Sequence, residues 1–174
     1  MELENDFLNK DFSEITENQK KTIKELNEKV KDFINKNEIY FDKKILKIQI
    51  EIPSNINELS LSYISKLMSE NLTRIYQIQE NLSSLLVIVN YIKIMKNNFI
   101  SNFRKEMRKL NKKISNAEIE RLIEENDYYF GLKYLIFIYE DSYYLKLKSL
   151  YEVCIMYKEL LSREITLREI EKRT

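Results

Sequence analysis

The apolar positions of the chain recur in periodic stretches separated by short polar breaks. From about residue 13 to residue 36, Ile23, Leu26, Val30 and Phe33 step by three, four and three. That spacing places one narrow stripe along an amphipathic helix. Asn37 and Glu38 interrupt it, and Asp42 follows as a candidate N-cap. In "KKILKIQIEIP" the residues Leu46, Ile48, Ile50 and Ile52 alternate as a strand would. No second strand pattern exists to pair with it, and an isolated strand leaves its backbone groups unpaired. The segment therefore reads as a short helix or an extended connector, ended by Pro53.

From about residue 55 to residue 110 the pattern is the strongest in the chain. Ile64, Met68, Asn71, Ile75, Ile78, Leu82, Leu85, Val89, Ile92, Lys96, Phe99 and Phe103 alternate steps of four and three without a slip. This is a heptad seam, with Asn71 and Lys96 as polar exceptions of the kind that set register. At 1.5 Å per residue the helix would be roughly 80 Å long. After "LNKK", Ser115 and Glu118 form a capping-box signature. It predicts a second long helix from Asn116 to about Leu161, with Leu122, Tyr129 and Ile136 continuing its stripe upstream. Its later seam is Tyr143, Leu147, Leu150, Cys154, Tyr157 and Leu161.

Two long helices joined by a short polar loop fold back on each other. The expected fold is all-α: a long antiparallel, coiled-coil-like helical hairpin with a short N-terminal helix. The predicted organisation is residues 1–53, an N-terminal helix and connector, then residues 54–174, the hairpin with a C-terminal oligomerisation segment. The first dozen residues show no periodicity.

Composition supports helices and removes chemistry. Among 174 residues Gly131 is the only glycine and Pro53 the only proline, with no Trp and no His. Hairpin turns and Gly-lined phosphate loops lack material. Without His, and with Cys154 as the sole Cys, there is no His/Cys zinc set, no intrachain disulfide and no His-based triad. The carboxylates lie in charge-rich helical faces, where solvation or i, i+4 pairing is the usual role. The expectation is a protein that is not an enzyme and needs no cofactor or metal. The N-terminus "MELENDFLNKDF" is acidic and has no apolar core. The longest apolar run, "LLVIVNYIKIM", is broken by Asn90 and Lys93. Neither a signal peptide nor a membrane span is predicted, and the expected location is the cytoplasm. The glycosylation patterns at Asn71 and Asn81 are chance matches in an Asn-rich chain.

Charge changes the picture at one place. The chain carries 29 Lys and Arg against 28 Asp and Glu. Yet residues 93–113 hold Lys93, Lys96, Arg104, Lys105, Arg108, Lys109, Lys112 and Lys113 against Glu106 alone, eight minus one, a net +7. Arg104, Arg108 and Lys112 are spaced by four, as are Lys105, Lys109 and Lys113, giving two adjacent basic rows. Beside Phe99 and Phe103 they suit a single strand, with cations on phosphates and rings on bases. A plainer reading stands beside it. Cations at a helix C-terminus complement its dipole, the next helix opens with Glu118, Glu120, Glu124, Glu125 and Asp127 to pair with them, and both Phe residues fall on the seam. The second helix also carries Tyr128, Tyr129, Phe130, Tyr134, Phe137, Tyr139, Tyr143, Tyr144, Tyr151 and Tyr157. These are more aromatics than one seam buries, so self-association is expected, with Tyr143, Leu147, Leu150, Cys154, Tyr157 and Leu161 as the oligomerisation segment.

Three places carry a resemblance. In "KNEIYFDKKIL" a basic helix end, Lys36, leads to Glu38, then Ile39, Tyr40 and Phe41, then Asp42, with Leu46 four positions on. Ile52-Pro53 with Leu59 and Tyr63 follows. "ISNAEIERLIEEND" and "LYEVCIMYKELLSREITLREIEKR" stand at the other end, with Arg163, Ile165, Leu167 and Arg168 near the terminus. From residue 24 onward the chain resembles the UvsY recombination mediators of T-even-type phages. It departs from them in its N-terminal extension, in Glu164 where Gly or Thr is common, and in lacking a terminal Trp. The resemblance implies a ring-forming homo-oligomer, a hexamer or heptamer, that binds single-stranded DNA in the host cytoplasm. It also implies loading of a RecA-like recombinase onto DNA coated by single-strand-binding protein, with Lys93, Lys96, Arg104 and Lys105 as DNA contacts. The alternative is a structural or adaptor coiled-coil oligomer without DNA affinity.

Overall fold

The computed structural model describes residues 15–172. All regular structure among them is helical, with no strand. Helix α1 spans Glu17–Lys36. Its start is fixed by a reciprocal capping box: Thr16 Oγ1 accepts from Gln19 N at 3.2 Å, and Thr16 N donates to Gln19 Oε1 at 3.0 Å. The expected start near residue 13 lies outside the described residues. Asn37 closes the helix on the Phe33 carbonyl, and Glu38 turns the chain with φ 51°.

The alternating segment is a connector. Lys43–Lys47 forms a 3-10 turn, and Asp42 caps it by accepting from Lys44 N at 2.9 Å. Residues 48–53 then run without helix or ladder, Ile48 and Ile50 half-buried and Gln49 and Glu51 exposed. The two-residue period of burial holds at Ile48 and Ile50 and ends before Ile52, which is exposed. A second short 3-10 turn, Ile56–Glu58, precedes helix α2, Leu61–Leu110.

The expected second long helix is interrupted. Helix α3 covers Asn116–Glu124 and helix α4 covers Asp127–Ile136. The break comes from Asn126, whose Oδ1 accepts from Tyr128 N at 2.9 Å and Tyr129 N at 3.4 Å and so starts a new helix. A π-helical stretch, Phe137–Tyr144, leads into helix α5, Leu145–Glu171. Tyr139, Tyr143 and Leu147 step by four and four. Leu150, Cys154, Tyr157 and Leu161 then return to three, four, three and four. The extra residue falls in the wide π turns, which keep the same face inward.

The chain divides into two compact units. The first joins residues up to Glu38 with Ile88–Ile138. Leu26 and Val30 of α1, Ile88 and Ile92 of α2, Ile119 and Ile123 of α3 and Leu132 of α4 are buried there. Gly131 on α4 faces α1: a Cβ at Gly131 would lie 2.7 Å from Leu26 Cδ1. Phe33 stacks on Tyr91 with centroids 3.8 Å apart.

The second unit joins Ile39–Val87 with Tyr139–Thr174. Ile56, Ile64, Tyr157 and Leu161 form a buried cluster there. Asn81, also buried, holds the connector by accepting from Asp42 N and donating to Gln77 O, each at 2.8 Å. Arg168 of α5 donates to the carbonyls of Ile56, Asn57 and Leu59 and pairs with Glu164 at 2.7 Å. Cys154 is buried, and burial raises its thiol above the ordinary range.

The polar seam residue Asn71 is fully buried in this unit. Its Nδ2 donates to the Cys154 carbonyl at 2.8 Å, while Oδ1 has no hydrogen bond among the described residues. A buried acceptor left without a bond costs about 1–3 kcal/mol. Asn71→Leu is therefore expected to stabilise the protein by about 1 kcal/mol. Thermal denaturation followed by circular dichroism should show a Tm raised by about 3 °C.

Candidate nucleic-acid interface

The basic stretch lies in the first unit, on the last turns of α2 and the turn beyond it. Helix α2 stops at Leu110, so Lys112 and Lys113 stand in the turn. Asn111 shapes that turn by accepting from Lys113 N at 3.0 Å. Ser115 then caps α3, its Oγ accepting from Glu118 N at 3.1 Å. Lys93 and Lys96 are half-buried beside the seam, whereas Arg104, Lys105, Arg108, Lys109, Lys112 and Lys113 are exposed.

The two basic rows have different surroundings. Arg104 pairs with Glu120, Nη2 to Oε1 at 2.7 Å, and Arg108 Nη2 donates to Asn116 Oδ1 at 3.0 Å. These arginines fasten α2 to α3. The remaining acidic residues of α3 are mostly engaged elsewhere. Arg121 sits between Glu118 and Glu125 at 2.7 and 2.6 Å, and Glu124 pairs with Lys133 at 3.1 Å. The hydrogen bond from Arg121 and its charge hold the Glu118 carboxyl below its ordinary range, and the two carboxylates raise Arg121. Among the described residues, Lys105, Lys109, Lys112 and Lys113 make no ion pair. Cross-pairing of the acidic and basic sets thus accounts for Arg104 and leaves four lysines solvated.

A groove of about 470 Å³ runs along one flank of α2, lined by Asn97, Ile100, Ser101, Arg104, Lys105 and Arg108. A second, of about 300 Å³, lies on the other flank and includes Phe99, Phe103 and Tyr128. Phe99 and Phe103 are half-buried, with centroids 5.5 Å apart, and Phe99 lies 5.2 Å from Tyr128. They are core on one side and accessible on the other. Lys29 of α1 adds a cation that the sequence does not single out, its Nζ 5.3 Å from the Tyr128 centroid. The contact joins residues 99 positions apart, so no local spacing could have found it.

The residues named for oligomerisation lie in the second unit. Tyr143, Leu147, Cys154, Tyr157 and Leu161 are buried there among the chain's own residues, and Leu150 is half-buried. The described residues contain no cluster of three or more Asp, Glu or Cys suited to a metal ion, and no helix long and apolar enough to cross a membrane. Comparison with family models, curated proteins and solved structures finds no match for the chain.

Proposed function

We propose that the chain is a single-stranded-DNA-binding accessory protein of the recombination-mediator kind. It would act as a homo-oligomer that helps a RecA-like recombinase displace single-strand-binding protein. The observation that carries the reading is the solvated lysine group. Four cations within nine residues, each lacking an ion pair among the described residues, hold a condensed anion-binding potential. A phosphate backbone that neutralises them releases its counterions, which supplies sequence-independent affinity.

The helical-hairpin part of the reading draws support from pairings within each unit. In the first, 108 meets 116 and 104 meets 120; in the second, 79 meets 151 and 71 meets 154. Rising positions on α2 meet falling positions on the returning chain in both cases. Placing the lysines beside the turn lets copies present them together. The arrangement needs no catalytic group, because a mediator works by competing for DNA and by touching its partners.

The test is fluorescence anisotropy of a labelled oligodeoxythymidylate across a salt series. Affinity should fall steeply with salt. Lys105→Ala with Lys109→Ala should weaken binding about tenfold and reduce the log–log salt slope by about 1.4, at ~0.7 per cation for a single strand. The α-helical circular-dichroism signal should not change, because both side chains are exposed. No measurable binding at low salt would favour the structural or adaptor coiled coil instead.

A further inference from the structure

We infer that the second groove, lined by Asn98, Phe99, Asn102, Phe103, Glu106 and Tyr128, receives an unpaired nucleobase. This rests on the proposed binding of a nucleic-acid strand and names which part of that strand the groove holds. Three aromatic rings meet at its wall, Phe99 tilted 39° to Phe103 and 35° to Tyr128. Rings that are half-buried are fixed by packing on one side and present the other for stacking, which every base can use. A pocket near 300 Å³ is at the small end of the range for ligand sites, in keeping with one planar group.

Polar atoms are placed to serve a base edge. The side chains of Asn98 and Asn102 line the groove one helical turn apart, each offering an amide donor and an amide acceptor. Glu106, one further turn on, offers acceptors to an exocyclic amine. Cations near the groove provide for the strand's phosphates. Asn98, Asn102, Lys105 and Lys109 follow one another by four, three and four along a single stripe of α2, so the solvated lysines continue the asparagine wall. Lys29 of α1 adds a further cation beside Tyr128. A base paired inside a duplex has no free face, and its Watson–Crick edge is engaged, so this groove selects single strands. Charge alone would favour the denser phosphates of a duplex.

The experiment uses the unmodified protein and three labelled ligands of equal length: oligodeoxythymidylate, an abasic strand of the same phosphate number, and a duplex. The abasic strand is expected to bind about tenfold more weakly than the thymidylate with the same salt slope, and the duplex more weakly still. Stacking on Tyr128 should also quench tyrosine fluorescence with thymidylate and leave it unchanged with the abasic strand. Phe103→Leu, which keeps apolar bulk and removes the ring, should lower thymidylate affinity toward the abasic level and leave abasic binding as it was. Equal affinity for thymidylate and abasic strands overturns the base groove while the phosphate reading stands. Failure of both to bind removes the phosphate reading and the groove with it.

Discussion

Arg168→Met should lower the free energy of unfolding by about 3 kcal/mol, as measured by urea denaturation. The guanidinium is half-buried and serves three main-chain carbonyls, those of Ile56, Asn57 and Leu59, while pairing with Glu164, whose side chain is 18% exposed. Those carbonyls sit in and just after a 3-10 turn; that of Ile56 also accepts from Leu59 N at 3.2 Å, so the guanidinium matters most to those of Asn57 and Leu59. Removing the donor leaves acceptors and a carboxylate poorly solvated, at about 1–3 kcal/mol for each group that water cannot reach. Methionine retains the stem, so the loss reports the polar head. Arg168→Lys should recover no more than about half, because one ammonium cannot span three carbonyls as a planar fork does. Glu164→Gln should cost under about 1 kcal/mol, since a neutral amide still accepts from Nε. If Arg168→Met were neutral, the 3-10 turn would be held by its apolar contacts alone.

The second large effect comes from the approach of α4 to α1 at Gly131 in the first unit. Leu26 is fully buried and its Cδ1 occupies the space where a Cβ on Gly131 would project. Gly131→Leu should destabilise by about 2 kcal/mol. Overpacking typically costs about 1–3 kcal/mol, and replacing a helical glycine returns up to about 1. Leu26→Ala should cost about 3 kcal/mol through lost burial and the cavity left behind. The double variant should be more stable than the sum of the two losses by 1 kcal/mol or more, roughly the coupling expected of residues in contact. Strict additivity in the double-mutant cycle would mean that α1 and α4 are held apart by something other than this contact.

Local codes made much of the fold legible. The heptad residues of α2 that the pattern picked out are buried or half-buried throughout, Asn71 included. Asp42 and Ser115 cap where a short acceptor followed by a helical pattern says they should. At Asn126 a cap of the same kind starts a new helix inside an apolar stripe that continues on both sides, and the stripe alone does not show that break. The alternation from Leu46 to Ile52 could not show that Leu46 lies in a 3-10 turn, that Ile52 is exposed, or that the backbone between them joins neither helix nor ladder.

At the candidate interface the positive charge was legible and its division was not. That Arg104 and Arg108 are held by Glu120 and Asn116 depends on which side chains α3 presents. Lys105 and Lys109 stand on the neighbouring row of α2, exposed and without an ion pair among the described residues, which no local spacing reveals. The seam position of Phe99 and Phe103 points to core, and the structure leaves each half-buried, core on one side and accessible on the other.

The wide turns at Phe137–Tyr144 bear on how this chain compares across evolution. A segment that has taken in one surplus position while keeping Tyr139, Tyr143 and Leu147 pointing the same way is a natural buffer for length. Sequences of common descent that are one residue shorter should have lost it here, with the wide turns reverting to α-helix. An alignment gap belongs in this stretch, where it leaves the inward-facing side of α5 in phase.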